Sequence, residues 1–273
     1  MVALKTYYIG WDVGAWHCDG NRRSRDAICV IEHEVGKAQM KFIGVWRNNF
    51  SEKLLGVRDS QSFVANALIP LDSRFSHLEA KANIVLAIDA PLGFPTGLNA
   101  LLQGKQTPKF EARNAIDNPY LYRETERYLR LQDSTIHPLS LVQDQIGSQA
   151  TKALHLMYRL GLRRHEATWV STEADSIAPK FRAIETYPSV AIKMRPDLLR
   201  DANLFDETNT CNTLILEPDK ADYANKDQRD ALICALIASM WGRTGELVGP
   251  RRGDVNQELV EQEGWIWVPE ISR

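Results

Sequence analysis

No run of roughly eighteen apolar residues, the least a membrane-spanning helix needs, occurs in the 273 residues of this chain. The opening MVALKTYYIGWDVG lacks a basic start, a long apolar core and a small-residue cleavage site, so neither a secreted nor a membrane protein is expected. Cysteine is scarce. Cys18, Cys29, Cys211 and Cys234 share no C-x-x-C spacing and sit beside no histidine cluster. That argues against a zinc site or a disulfide framework and points to free thiols in a reducing cytoplasm. Excess charge of one sign is missing too: 33 Lys and Arg against 35 Asp and Glu leave a net charge of −2. No global basic field advertises a nucleic acid, although a local patch can still bind one. Repeats, low-complexity tracts and a clear linker are also absent, and residues 1–273 read as a single domain.

What is present begins with strands. YYIGWDVG alternates, with Tyr7, Ile9, Trp11 and Val13 on one face and Tyr8, Gly10, Asp12 and Gly14 on the other. A polar loop, CDGNRRSRD, leads to the strand AICVIEHE, and a turn at Gly36-Lys37 leads to AQMKFIGVWR. Residues 53–70 suggest a helix, and NIVLAIDAPLGFP is a buried strand that ends on Asp89. The order is β-β-β-α-β. From about 96 to 178 the pattern becomes helical, with helices expected over NPYLYRETERYLRL and LSLVQDQIGSQATKALHLMYRLG. In the latter, Val142, Ile146, Ala150, Ala153, Met157 and Leu160 form a stripe that Gly161 stops. This stretch reads as an insertion in an α/β domain. A fifth strand, KFRAIETYPS, carries Glu185 at its end. A buried helix, NKDQRDALICALIASMWG, and a last short strand, EGWIWVPE, close the chain.

Carboxylates punctuate the ends of these buried elements: Asp12, Asp89, Glu185 and the pair Asp227/Asp230. A carboxylate at the end of the most apolar strand needs a cation, hydrogen bonds or water, because burying it bare costs several kcal/mol or more. Asp12 lies between Gly10 and Gly14 on its own face, where two missing side chains leave room for a close approach. Asp227 and Asp230 are three apart and share one face of a helix. Converging carboxylates repel unless a hard cation sits among them, and Mg²⁺ or Mn²⁺ suits oxygen ligands. Two such ions roughly 3.5–4 Å apart can activate water and stabilise a leaving oxygen in phosphodiester cleavage.

GWDVG, IDAPLGFP, RETER, IETYPS, DALICALIA and EGWIWVP, in that order, resemble the family catalogued as domain of unknown function 429. Its members are regarded as predicted nucleases of ribonuclease H-like fold. The late D-x-x-D-A helix is similar to that of the RuvC Holliday-junction resolvases. The resemblance implies a ribonuclease H-like mixed sheet with a helical insertion between its fourth and fifth strands. It also implies a divalent-metal-dependent nuclease acting on DNA or RNA. Asp12 would be the first-strand metal ligand, Asp89 or Glu185 the middle one, and Asp230 the helix ligand, shared with or supported by Asp227. Arg123 and Glu126 would line the site. An acid on the first helix, usual in ribonuclease H enzymes, has only Glu52 or Asp59 to represent it.

Each acid also has a structural reading. Asp227 and Asp230 can complement a helix N-terminus, Asp89 can cap its turn, and Glu185 can pair with Arg123 or Arg182. Glu124 and Glu126 are spaced to meet Arg127 and Arg130. Arg22 and Arg23, in the loop after the first strand, are candidates for phosphate contact. His17 and His137 have no partner at ligand spacing. Two other functions fit the same opening. One is a catalytically silent ribonuclease H-like scaffold that binds a partner. The other is a Mg-nucleotide-binding protein like actin or the sugar kinases, whose Asp-Gly strand-turn GWDVGAWHCDG echoes, although one such turn in 273 residues is tight for that class.

Overall fold

A strand whose two faces are both apolar or glycine belongs inside a sheet covered on both sides. The computed structural model describes residues 4–17, 25–37, 40–78, 82–111, 113–171, 180–201 and 223–271, and YYIGWD occupies such a place. Strand β1 (Lys5–Asp12) pairs antiparallel with β2 (Asp26–Glu34), which pairs antiparallel with β3 (Met40–Asn48). On its other edge β1 runs parallel to β4 (Asn83–Asp89). Strands β5 (Leu162–His165) and β6 (Thr168–Ser171) form a hairpin, and β7 (Lys180–Thr186) lies between β6 and β4, parallel to β4. The sheet is mixed and open, in the order β3-β2-β1-β4-β7-β6-β5, with β8 (Ile266–Trp267) beside the end of β7.

The expected β-β-β-α-β opening is therefore present, but two expectations about the rest need correcting. The middle of the chain is not wholly helical, because residues 162–171 form the β5–β6 hairpin. Its turn holds two residues, Glu166 and Ala167, and Glu166 takes φ 52°, the left-handed conformation such tight turns use. The helices are also shorter than expected. The 53–70 segment splits into α1 (Ser51–Leu55) and α2 (Ser60–Phe63), the latter running on into a π-helical turn over Val64–Leu68. Gly56 ends α1, and Asp59 caps α2 by accepting the Ser62 N–H at 2.7 Å. After α3 (Thr96–Leu102), α4 spans only Glu124–Gln132 and α5 only Gly147–Arg159. Residues 139–146 stay out of α5 because the Ser140 hydroxyl accepts the N–H groups of Val142 and Gln143, a local turn that competes with the helix. Then come α6 (Pro188–Met194), α7 (Leu198–Asp201), the long α8 (Tyr223–Arg243) and α9 (Gln257–Glu263). No helix among the described residues is long and apolar enough to cross a membrane.

The sheet separates two cores. Tyr7, Ile9 and Trp11 pack with Leu54, Phe63, Met157 and Phe181 on one face. Tyr8, Cys29, Val85 and Ala87 pack on the other against α8, through Ala231, Cys234, Ala235 and Ala238. Cys29 and Cys234 are buried free thiols, while Cys18 and Cys211 lie outside the described residues. At Gly10 the backbone of α8 comes right against the sheet. A Cβ there would lie 2.0 Å from the Ala231 carbonyl oxygen and 2.3 Å from the Ala235 nitrogen. On the Gly10 side of Asp12 the space is thus filled by helix backbone and not held open for a ligand. Gly10→Ala forces two packed elements apart and is expected to cost about 1–3 kcal/mol or more in urea unfolding. A cost within error of zero would mean that α8 rides freely on the sheet.

Candidate functional site

Register places the carboxylates. Asp12 and Asp89 are direct partners in the parallel β1–β4 pair, so they stand on adjacent strands, about 4.8 Å apart in a sheet, and on the same face. That face carries Ala87 and Val85 and is covered by α8. Asp230, near the start of α8, comes down onto it because Gly10, Ala231 and Ala235 let the helix approach. All three aspartates line one cleft of about 330 Å³. Among the described residues neither the Asp12 nor the Asp89 carboxylate accepts a hydrogen bond or makes an ion pair.

Glu185 is different. Its partner on β4 is Ile88, not Asp89, so the one-residue offset turns it to the opposite face of the sheet. There Arg123, 1% exposed, grips it in a bidentate pair, with Nη1 donating to Oε2 at 2.8 Å. The Leu92 N–H donates to the same oxygen at 2.8 Å. Of the two structural partners considered for Glu185, Arg123 is the one found. Arg182 lies instead over the Trp241 ring at 5.8 Å. Arg123 also donates through Nε to Glu126 at 2.8 Å, and Glu126 accepts the Arg123 backbone N–H to start α4. Arg123, Glu126 and Glu185 line the same cleft as the aspartates, but their charges are already engaged with one another. The spacing within RETER is only half realised: Arg127 meets Glu124 at 3.2 Å, whereas Arg130 donates to the Ile136 carbonyl and the His137 ring.

The other candidates separate likewise. Asp227 is paired with Arg47 at 2.6 Å and does not line the cleft. Among the described residues Asp230 has a loose contact with Arg229, at 3.3 Å. Glu52 is exposed, and Asp59 is the α2 cap. Arg22 and Arg23 lie outside the described residues. Three groups went unnoticed in the sequence. Lys226, one turn before Asp230 on the same face of α8, lines the cleft, and its i, i+4 spacing was the available signal. Asp26 and Lys152, both fully buried, pair at 2.7 Å. Asp26 also accepts the Gly14 N–H at 2.9 Å, the Phe50 N–H at 3.0 Å and the Trp11 indole N–H at 3.1 Å, which fixes the loop leaving Asp12.

Electrostatics follow from this crowding. Burial, and then the charges of Asp89, Asp230, Asp227 and Asp26, push the Asp12 carboxyl well above the ordinary carboxylate range. Burial, and then Asp230 and Glu185, push Asp89 up to about 8, with Lys226 opposing. Burial also raises Asp230, against Arg229 and Lys226. Among the described residues, however, no three histidine, cysteine or carboxylate side chains close on a single point as a finished metal shell. No protein-family model, curated protein or solved structure matches the chain. The site therefore rests on its own geometry. Asp12 and Asp89 stand at the carboxyl ends of two parallel central strands, where open α/β sheets bind ligands, Asp230 of α8 lines the same cleft, and all three have raised pKa values.

Proposed function

We propose that this chain is a divalent-metal-dependent phosphodiester hydrolase on a ribonuclease H-like sheet, as its resemblance to the domain of unknown function 429 family implies. The observation that supports this most is the meeting of Asp12, Asp89 and Asp230 in one cleft, with no ion pair to either of the first two among the described residues and Lys226 the one cation acting on Asp89. Strand order supports the fold assignment: three antiparallel strands are followed by a parallel fourth beside the first and a parallel fifth core strand beside that.

The donor set is all hard oxygen, which fits Mg²⁺ or Mn²⁺. Asp12, Asp89 and Asp230 would hold the ion, while Glu185 and Asp227 are engaged by Arg123 and Arg47. A bound ion would neutralise phosphate charge and lower the pKa of water. The chain's own groups do the rest. Lys226 offers an ammonium to a phosphate oxygen at the cleft wall. Asp89, pushed up to about 8, holds its proton at neutral pH and would give it up on binding a cation. The Arg123–Glu185 pair holds the Pro91-Leu92 turn, and with it the end of β4, in place through the Leu92 N–H. Pro91, Leu139 and Ile146 give the cleft an apolar side that limits water.

The test is Mn²⁺ titration by calorimetry on the wild type and on Asp12→Asn/Asp230→Asn, with circular dichroism to follow folding. Heat of binding should vanish in the folded double variant. Equal binding in both proteins, or none in either, would leave the acids as charges on a binding scaffold and remove the hydrolase reading.

A further inference from the structure

We infer that the cleft takes a small phosphodiester carrying one or two nucleosides and not a nucleic acid strand, an inference that rests on the hydrolase reading above. Three observations carry it.

The first is size. A cleft of about 330 Å³ is at the bottom of the range for small-molecule sites, which runs from roughly 300 to 1,000 Å³. A strand crossing the active site must place nucleotides on both sides of the scissile phosphate, in a groove that continues beyond it. The second is charge. Proteins that track a strand line the path with Lys and Arg and release condensed counterions. Here the lining carries five acids, Asp12, Asp89, Glu126, Glu185 and Asp230, against two bases, Arg123 and Lys226. Arg123 is enclosed by Glu126 and Glu185, so among the described lining residues Lys226 alone is left to meet a phosphate. That suits one phosphate group, since a single ammonium cannot follow the successive phosphates of a strand.

The third is that one wall of the cleft is tied down. Leu139, Ile146 and Gln149 come from the stretch before and at the start of α5. The Ser140 hydroxyl donates to the Leu121 carbonyl at 2.6 Å, and the Asp144 carboxylate accepts the Ser140 N–H at 2.7 Å. Ser148 accepts the Trp16 N–H at 3.0 Å, and the Trp16 indole donates to Thr151 at 3.1 Å. These bonds tie the wall to the loop after β1 and to the chain before α4, so widening the cleft breaks several of them. With Val13 and Pro91, Leu139 and Ile146 form an apolar side suited to a sugar or base. The reaction needs only water. Its oxygen bonds to phosphorus, one ester P–O bond breaks, one water proton goes to the leaving oxygen and the other to solvent.

The experiment compares two substrates with the full-length chain and Mn²⁺: thymidine 5′-p-nitrophenyl phosphate and circular single-stranded DNA, each between 50 and 200 mM salt. The inference expects the small diester to be hydrolysed with kcat/KM changing by less than about twofold across that range, and the circle to stay intact. An enzyme making six to ten phosphate contacts would instead lose about 10³–10⁵ in affinity over the same range. Cutting of the circle, with a steep loss on adding salt, would overturn the small-substrate inference and leave the hydrolase reading standing. Hydrolysis of neither substrate by the folded, Mn²⁺-supplied protein would overturn the hydrolase reading and the inference with it.

Discussion

Lys152→Met is expected to destabilise the protein by about 3–5 kcal/mol, the cost of leaving one half of a buried ion pair uncompensated. Lys152 and Asp26 are both fully buried and 2.7 Å apart. Without the ammonium, the Asp26 carboxylate keeps, among the described residues, the N–H donors of Trp11, Gly14 and Phe50. Those three donors belong to the end of β1, the loop after it and the approach to α1, so the loss spreads to the segment that carries Asp12. Urea unfolding of Lys152→Met should show the full cost. Asp26→Asn/Lys152→Met should recover part of it, since no bare charge then remains. A single variant within 1 kcal/mol of wild type would show that water or another group reaches Asp26, and the pair would lose its place as the clamp behind Asp12. Isolated buried pairs contribute little net stability against an apolar replacement. The double variant therefore also separates a stabilising role from a positioning one: fold recovered with Mn²⁺ binding still weakened means positioning.

How much of this was readable in the sequence depends on whether the cause was local. The three opening strands and β4 follow from period-two alternation and an unbroken apolar run, which are local signals. The β5–β6 hairpin was missed because its strands are four residues each, and LRRH carries three charged or titratable side chains in place of an apolar face. Asp12, Asp89 and Asp230 could be singled out as acids at the ends of buried elements, and the structure brings these three into one cleft. Knowing which of Asp89 and Glu185 shares a sheet face with Asp12 needed the β4–β7 register, a long-range property that places Ile88 and not Asp89 opposite Glu185. The partners Asp26 and Lys152 are 126 residues apart, and no spacing rule links them. Gly10 was recognised as a missing side chain, but what fills the gap is α8, whose small residues Ala231 and Ala235 complete the fit.

The second large effect is a pH dependence that a divalent cation should erase. Asp89 sits near 8 in the folded protein, through burial first and then the charges of Asp230 and Glu185, whereas an unfolded aspartate titrates near ~3.9. Between those values the folded state holds a proton that the unfolded state has released. Stability therefore falls as pH rises from about 4 to about 8. Asp12 and Asp230 are displaced in the same direction and add to the slope. Thermal melts of the cation-free protein should show a falling midpoint across this window, by about 2–4 °C for each kcal/mol in a chain near this size. Asp89→Asn carries no charge at any pH, so it should flatten the slope and melt above wild type at pH 8, yet respond less to Mn²⁺. Wild type with saturating Mn²⁺ should also flatten, because the ion favours the ionised carboxylates that protons otherwise neutralise. A level profile without cation, or an Asp89→Asn profile as steep as wild type, would show that these carboxylates are solvated and not crowded. The expected outcome ties the two properties together: the same like-charge crowding that weakens the cation-free fold above pH 4 gives a cation more to gain by binding, so Mn²⁺ affinity should climb with pH until Asp89 has lost its proton.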